Sequence, residues 1–182
     1  MIYVLIVLVV VLLAIVGALV YQRRRSAQLQ KGFGPEYDRA VEEHGDQRAA
    51  ESELRERRQR RSRFEIRPLG AAQRDRYAER WRATQAQFVD QPASALGDAD
   101  TLVAEVMRER GYPVEDFEQR AADVSVDHPA VAEDYRAAHA IYQAHEQGLA
   151  GTDDLRQAFV HYRSLFAQLL DTEGDDREEA HR

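Results

Sequence analysis

Cysteine is absent from the 182 residues, and lysine occurs only once, at Lys31. Without cysteine the chain has no disulfide, no thiolate nucleophile and no cysteine-bound zinc. The sequence also lacks a glycine-rich phosphate-binding loop and the G-x-S-x-G motif of serine hydrolases. The residues therefore predict no catalytic group, no cofactor and no metal site.

Six histidines remain as candidates for chemistry. They are His44, His128, His139, His145, His161 and His181. A helical metal pair needs two histidines three or four positions apart, whereas His139 and His145 are six apart and point to different sides. We therefore expect surface or helix-capping roles for these side chains.

The segment DVSVDHP (residues 123–129) carries Asp123, Ser125 and Asp127 at alternate positions. This spacing is typical of the start of a calcium-binding loop, but the required glycine at the sixth position and glutamate at the twelfth are missing. The segment is instead predicted to form a turn, with Asp127 or His128 capping a helix that starts at Pro129.

Charge is distributed unevenly along the chain. Residues 22–67 contain thirteen basic and nine acidic residues, whereas residues 68–182 contain twelve basic and 23 acidic residues. The acidic part argues against nucleic acid as a partner, because phosphate contacts need clustered cations.

Residues 2–20 contain no charged side chain. Nineteen helical residues span roughly 28 Å at ~1.5 Å each, close to the thickness of the bilayer's hydrocarbon core. Tyr3 and Tyr21 lie at the two ends, where tyrosine favours the membrane interface. The run is longer than the apolar part of a signal peptide, and no basic residue precedes it. We therefore predict a retained signal-anchor over residues 1–21, a single transmembrane helix.

Basic residues follow this run on one side only. They are Arg23, Arg24, Arg25 and Lys31. Because basic flanks stay on the cytoplasmic side, the chain is predicted to be a single-pass protein of the cell membrane with its C-terminal domain in the cytoplasm.

Residues 22–67 are predicted to form a basic juxtamembrane region, a linker over residues 22–35 followed by a charged helix over residues 36–63. The arginines of RERRQRRSR have two interpretations, a solvated helix or a surface that contacts anionic lipid or an acidic partner. These arginines are Arg55, Arg57, Arg58, Arg60, Arg61 and Arg63.

Residues 68–170 show helical periodicity and no alternating strand pattern. The helices are predicted over residues 71–89, 93–110, 115–122, 129–148 and from residue 152. The fold class is therefore all-α, with an antiparallel bundle of about four helices after the anchor and the charged helix. The aromatic residues predicted in its core are Trp81, Phe88, Tyr135 and Phe159. Residues 171–182 are predicted to be an acidic disordered tail.

Several stretches resemble an uncharacterised family of small bacterial proteins that have one N-terminal span. They are FGPEYDRAVEEHGD, RYAERWRATQAQFVDQP, VMRERGYPVEDFEQRAADVSVDHPAVAEDYRAAHAI and TDDLRQAFVHYRSLFAQLL. The resemblance covers residues 33–170 and implies membrane attachment and a helical domain, but no activity. Members of that family are often labelled secreted.

The leading functional hypothesis is a membrane-tethered helical interaction or scaffold module with an unidentified protein partner. One alternative is an enzyme with an unrecognised site, for which His128 would have to meet Asp127, Asp134 or His161. Another is an envelope protein that faces outward. The oligomeric state stays open.

Overall fold

The computed structural model describes residues 2–171, apart from the side chains of residues 4–11 and 171. Within that range it contains eight α-helices and no strand, which confirms the all-helical fold class. The helices are α1 (Ile2–Phe33), α2 (Pro35–His44), α3 (Gln47–Arg61), α4 (Ala71–Gln87), α5 (Pro92–Arg110), α6 (Phe117–Asp127), α7 (Pro129–Glu146) and α8 (Thr152–Asp171). Beyond Asp171, the predicted tail lies outside the described residues.

The chain divides into two compact units, Met1–Arg55 and Glu56–Arg182, and the division falls within α3. The first unit contains α1, α2 and the beginning of α3. The second contains the end of α3 and helices α4 to α8.

In the first unit, α1 continues without a break from the apolar run to Phe33. The linker expected over residues 22–35 is therefore wrong up to Phe33, because glutamine, arginine, alanine and leucine in this stretch are strong helix formers. Gly34, with a φ of 50°, separates α1 from α2, and Pro35 occupies the start of α2. In the part of the chain that the structure describes, without the side chains of residues 4–11, no helix is long and apolar enough to cross a membrane.

The charged helix expected over residues 36–63 is two helices, because Gly45 ends α2 in the left-handed conformation with a φ of 64°. The carboxylate of Asp46 accepts a hydrogen bond from the backbone N–H of Ala49 at 3.0 Å and so caps α3. Ala50 and Leu54 of α3 are fully buried.

The second unit is a helical bundle, as predicted. Helix α8 packs against α5 and α7, while α4 packs against α5 and α6 against α7. The indole of Trp81 stacks on Phe159 and Phe166, with ring centroids 5.1 and 4.5 Å apart. Trp81, Tyr135 and Phe159 are buried, whereas Phe88 is half-buried and packs against the edge of this core.

The connector before α4 packs closely against the end of α5. The backbone N–H of Arg67 donates to the carbonyl of Arg110 at 2.8 Å. The buried Arg110 guanidinium donates to the carbonyls of Arg67 and Leu169, at 3.3 and 3.2 Å. Gly111 has a φ of 98°, and a Cβ there would lie 2.6 Å from the carbonyl oxygen of Glu65. Only glycine fits both the conformation and the contact.

Candidate functional site

A polar groove begins where the apolar run of α1 ends. Leu19, Gln22, Arg23, Ser26 and Gln30 line it from α1. These positions are spaced by three or four residues and therefore share one face of the helix. The groove consists of two neighbouring hollows with cavity volumes of about 430 and 370 Å³, a size suited to a small ligand. We call this feature the basic groove.

The opposite wall of the basic groove is built around the buried carboxylate of Glu51 on α3. Its oxygens accept hydrogen bonds from the Tyr37 hydroxyl at 3.0 Å, the Gln47 amide at 3.0 Å and the Arg55 guanidinium at 3.2 Å. Ser26 of α1 also interacts with this carboxylate. The carboxylate thus joins α2 to α3 and faces α1 across the groove.

Burial alone would raise the pKa of Glu51. The hydrogen bonds from Ser26, Gln47, Tyr37 and Arg55 outweigh that effect and hold the pKa below its ordinary value. The pKa of Tyr37 is raised, first by burial and then by its bond to Glu51. Glu51 is therefore an anion and Tyr37 a neutral donor at neutral pH.

The basic groove carries more positive than negative charge. Arg23 and Arg48 line the larger hollow, and Arg25, Arg48 and Arg55 line the smaller one. Glu51 is the one acidic side chain among the described residues that line either hollow, so the net charge is three positive units.

Only Arg55 of these four arginines contacts a described carboxylate, that of Glu51. Arg23, Arg25 and Arg48 form no ion pair with any side chain described in the structure. The groove can therefore offer three guanidinium groups to an anionic ligand.

Of the residues that line the groove, Arg23 and Arg25 were predicted only as membrane flanks, and Arg48 was not predicted. The polar stripe at Gln22, Ser26 and Gln30 could have indicated the groove, because these three residues give α1 a line of uncharged polar side chains. The stripe faces α3 because the chain turns at Gly34 and at Gly45. Hydrophobic periodicity predicts helices but does not predict the direction of such turns.

The side chains predicted to flank the membrane are all exposed in the first unit. Tyr3 is 80% and Tyr21 67% exposed. The basic members of this set are Arg23, Arg24, Arg25 and Lys31, all exposed. The exposure leaves each of these groups accessible to an external partner.

The arginines predicted for lipid or partner contact are placed differently from one another. Arg57 is buried and donates to the Ser125 hydroxyl at 3.4 Å. Arg60 donates to the carboxylate of Asp123 at 3.2 Å, and Arg61 to that of Asp127 at 2.6 Å.

Two further members of the set, Arg58 and Arg63, are exposed, whereas Arg55 is half-buried beside Glu51. Because Arg57, Arg60 and Arg61 bind α6 within the second unit, their side chains hold that unit together. Contact of the exposed members with lipid or a partner stays a prediction.

Helix α6 supplies the acceptors for these arginines. The turn expected over residues 123–129 is wrong, because α6 continues to Asp127 and α7 starts only two residues later. Asp123 is fully buried and also accepts from the amide of Gln119 at 2.9 Å. His128 occupies the cap position of α7 but makes no side-chain capping bond there. The alternation of polar residues in this segment thus serves helix packing.

A second polar cluster, around Asp100, links four helices of the bundle. The hydroxyls of Tyr162 and Tyr135 donate to the Asp100 carboxylate at 3.2 and 3.4 Å. Arg120 donates to the Tyr135 hydroxyl at 2.9 Å and forms an ion pair with Asp100. Burial, and then the charge of Asp100, raises the pKa of both tyrosines. The tyrosines therefore stay protonated donors, and the cluster cross-links the four helices α5, α6, α7 and α8.

Two of the described histidines, His161 and His139, each contact a different partner. Asp134 pairs with His161, and the Asp134 Oδ1 atom lies 2.8 Å from the His161 Nδ1 atom. His139 stacks on Phe117 with centroids 3.6 Å apart, and burial lowers the pKa of its imidazole. His128 is buried. Among the described residues, no group of three or more potential ligands could hold a metal ion.

No protein-family model, no curated protein and no solved structure matches this chain. The resemblance to the bacterial family therefore stays a prediction.

Proposed function

We propose that this protein is a single-pass membrane protein that holds a helical bundle at the cytoplasmic face of the cell membrane, where the bundle binds a protein partner. The observation that carries the proposal is the exposure of α1. Every residue from 12 to 21 is exposed, and the large apolar side chains among them are 46–67% exposed. In water, such a surface is unfavourable on a helix, whereas in a bilayer it is solvated by lipid tails.

The length of the apolar run supports the same proposal. Residues 2–20 contain no charged side chain, and as part of α1 they extend roughly 28 Å at ~1.5 Å per residue. That length matches a hydrocarbon core of about 30 Å. The helix also satisfies its own backbone hydrogen bonds, which lipid cannot do.

The orientation follows from the exposed cations after this run. Arg23, Arg24 and Arg25 lie within five residues of its end, and Lys31 follows on the same helix. Moving these cations across a membrane is unfavourable, so the bundle would stay in the cytoplasm. The anchor would then raise the local concentration of the bundle for membrane-bound partners.

Tyr77 and Trp81 of α4 are excluded as a partner surface. Both side chains are buried, at 4% and 6% exposure, so they serve the core of the bundle. The remaining surface is acidic in composition, which favours a partner with basic side chains.

Reporters fused after the last residue test the proposed orientation. A fluorescent cytoplasmic reporter should be active there, and alkaline phosphatase, which folds outside the cytoplasm, should be inactive. A variant in which glutamine replaces Arg23, Arg24 and Arg25 removes the cations that set the orientation. Its phosphatase signal should be higher than that of the unmodified fusion. Phosphatase activity in the unmodified fusion would instead support the outward-facing alternative.

A further inference from the structure

The basic groove lies at a specific height on α1. Arg23 and Arg25 follow the last apolar residue, Val20, by three and five positions, which is about 4 to 8 Å along the helix axis. The headgroup layer of one leaflet is roughly 5 to 7 Å thick. With the proposed anchor in place, both arginines would lie at the level of the lipid phosphates.

Helix α3 brings two more arginines to that level. Arg48 and Arg55 are more than twenty residues away from Arg25 in the sequence, but they line the same hollow. The carboxylate of Glu51 holds Arg55 there, with the Arg55 guanidinium 3.2 Å away. The groove is therefore formed by the packing of two helices and is more than a basic stretch of one helix.

We propose that the basic groove binds the headgroup of an anionic phospholipid, and binds a headgroup with two phosphates more tightly than one with a single phosphate. Arg48 lines both hollows, with Arg23 beside it in one and Arg25 in the other. Each hollow thus offers at least two guanidinium groups, whose planar donors match phosphate oxygens. Two adjoining hollows fit two linked phosphates.

The lining of the groove favours a lipid over a soluble anion. Leu19 lines the larger hollow and Tyr21 the smaller one, so each hollow has an apolar or amphipathic side chain on the side of the apolar run. A ligand that has acyl chains attached to its phosphate can contact these side chains, whereas inorganic phosphate cannot.

Native mass spectrometry of the full chain in detergent micelles tests this inference, which rests on the proposed anchoring. The lipids to add are diphosphatidylglycerol, phosphatidylglycerol and phosphatidylcholine, with inorganic phosphate as the soluble competitor. The groove variant carries Arg25→Gln and Arg48→Gln. The matched control carries Arg24→Gln and Lys31→Gln, which removes the same charge from exposed positions that line neither hollow.

We expect diphosphatidylglycerol to bind most tightly and phosphatidylcholine least. The groove variant should lose at least about tenfold in affinity for diphosphatidylglycerol, because charge-assisted hydrogen bonds are each worth roughly a factor of ten. The control should change less than about threefold. Equal losses in both variants, no loss in the groove variant, or displacement of the lipid by equimolar phosphate would each overturn the inference.

Flotation with vesicles of pure phosphatidylcholine separates this inference from the anchoring on which it rests. Wild type and both variants should float, because insertion of α1 does not depend on the headgroup. If all three float and no anionic lipid is preferred, the headgroup site is wrong and the anchor stands. If the wild type does not float, both proposals are wrong.

Discussion

The two compact units differ in what their arginines contact. In the second unit, arginines bind groups of the same unit: Arg60 binds Asp123, Arg61 binds Asp127 and Arg120 binds Asp100. In the first unit, Arg23, Arg25 and Arg48 form no ion pair with a described side chain. Exposed arginines without a described ion pair also occur in the second unit, at Arg63 and Arg163, but those of the first unit line one groove and can bind one external anion together.

The apolar side chains differ in the same way. Those of the bundle pack into one core, in which Tyr135, Tyr162 and Leu165 are fully buried. Those of residues 12–20 are exposed on all sides of α1. The second unit therefore buries most of its large apolar side chains, whereas the first has an apolar surface and a cationic surface next to each other, the combination that a membrane interface satisfies.

The largest expected effect concerns the apolar side chains, which are buried in the second unit and exposed on α1. Trp81→Ala removes a buried ring that stacks on Phe159 and Phe166, and should lower the free energy of unfolding of the bundle by about 3–5 kcal/mol. Leu13→Ala in α1 should change it by less than about 0.5 kcal/mol, because that side chain is 65% exposed. Denaturant unfolding of the full chain in detergent, followed by circular dichroism, measures both. Similar losses would break the distinction between the two units.

A charge placed within the apolar run should have the next largest effect. Leu13→Lys should weaken membrane insertion by about 2.5–3.5 kcal/mol, the cost of lysine near the centre of a transmembrane helix. The measurement is the fraction of the chain that stays in membranes after alkaline carbonate extraction. Val89→Lys, at an 82% exposed position of the second unit, is the control and should leave that fraction unchanged. If Leu13→Lys leaves the fraction of chain that stays in membranes unchanged, the result contradicts the anchor.

The contrast between arginines predicts an intermediate effect. Arg110→Met leaves the carbonyls of Arg67 and Leu169 without the guanidinium and should destabilise the bundle by about 2–3 kcal/mol. Arg48→Met should cost less than about 0.5 kcal/mol, because Arg48 is exposed and has no described partner. Thermal unfolding of the two variants compares them directly. A large loss for Arg48→Met would show that its guanidinium has a structural partner.

The smallest expected effect is a pH dependence within the first unit. Because the pKa of Glu51 is held below its ordinary value, its ionised form stabilises the packing of α3 against α1 above the ordinary pKa of 4.5. This contribution, about 1 kcal/mol for hydrogen bonds of this kind, is lost as the pH falls through the lowered pKa. Hydrogen exchange of residues 47–55, corrected for intrinsic rates, should show protection that declines below pH 4.5. Glu51→Gln should remove that dependence, and an unchanged dependence would assign it to another group.

The sequence predicted the bundle well, because apolar residues recur at helical spacing and clear signals mark helix ends. Gly111 ends α5 and Pro129 begins α7, as expected. The core positions of Trp81, Tyr135 and Phe159 followed from the same periodicity. These features depend on interactions between near neighbours in the chain, which local patterns report.

The basic groove was not predictable in the same way. It needs α1 to stay helical past residue 22, and the change from apolar to charged composition there suggested a linker instead. It also needs Arg48 and Glu51 to come back to α1, which two glycine turns determine. For the same reason, the arginines of residues 55–63 could not be divided into paired and exposed members until their acceptors on α6 were known.

Thiol labelling of single cysteines tests the central claim most directly, that the membrane satisfies the exposed surface of the first unit. The chain has no native cysteine, so Leu13→Cys, Gln28→Cys and Val89→Cys can be compared at three exposed positions. With a membrane-impermeant maleimide, we expect no labelling at residue 13, and labelling at residues 28 and 89 only in inverted membrane vesicles. Labelling at residue 13 as fast as at residue 89 would contradict the anchor, and labelling at residue 89 in intact cells would contradict the cytoplasmic orientation.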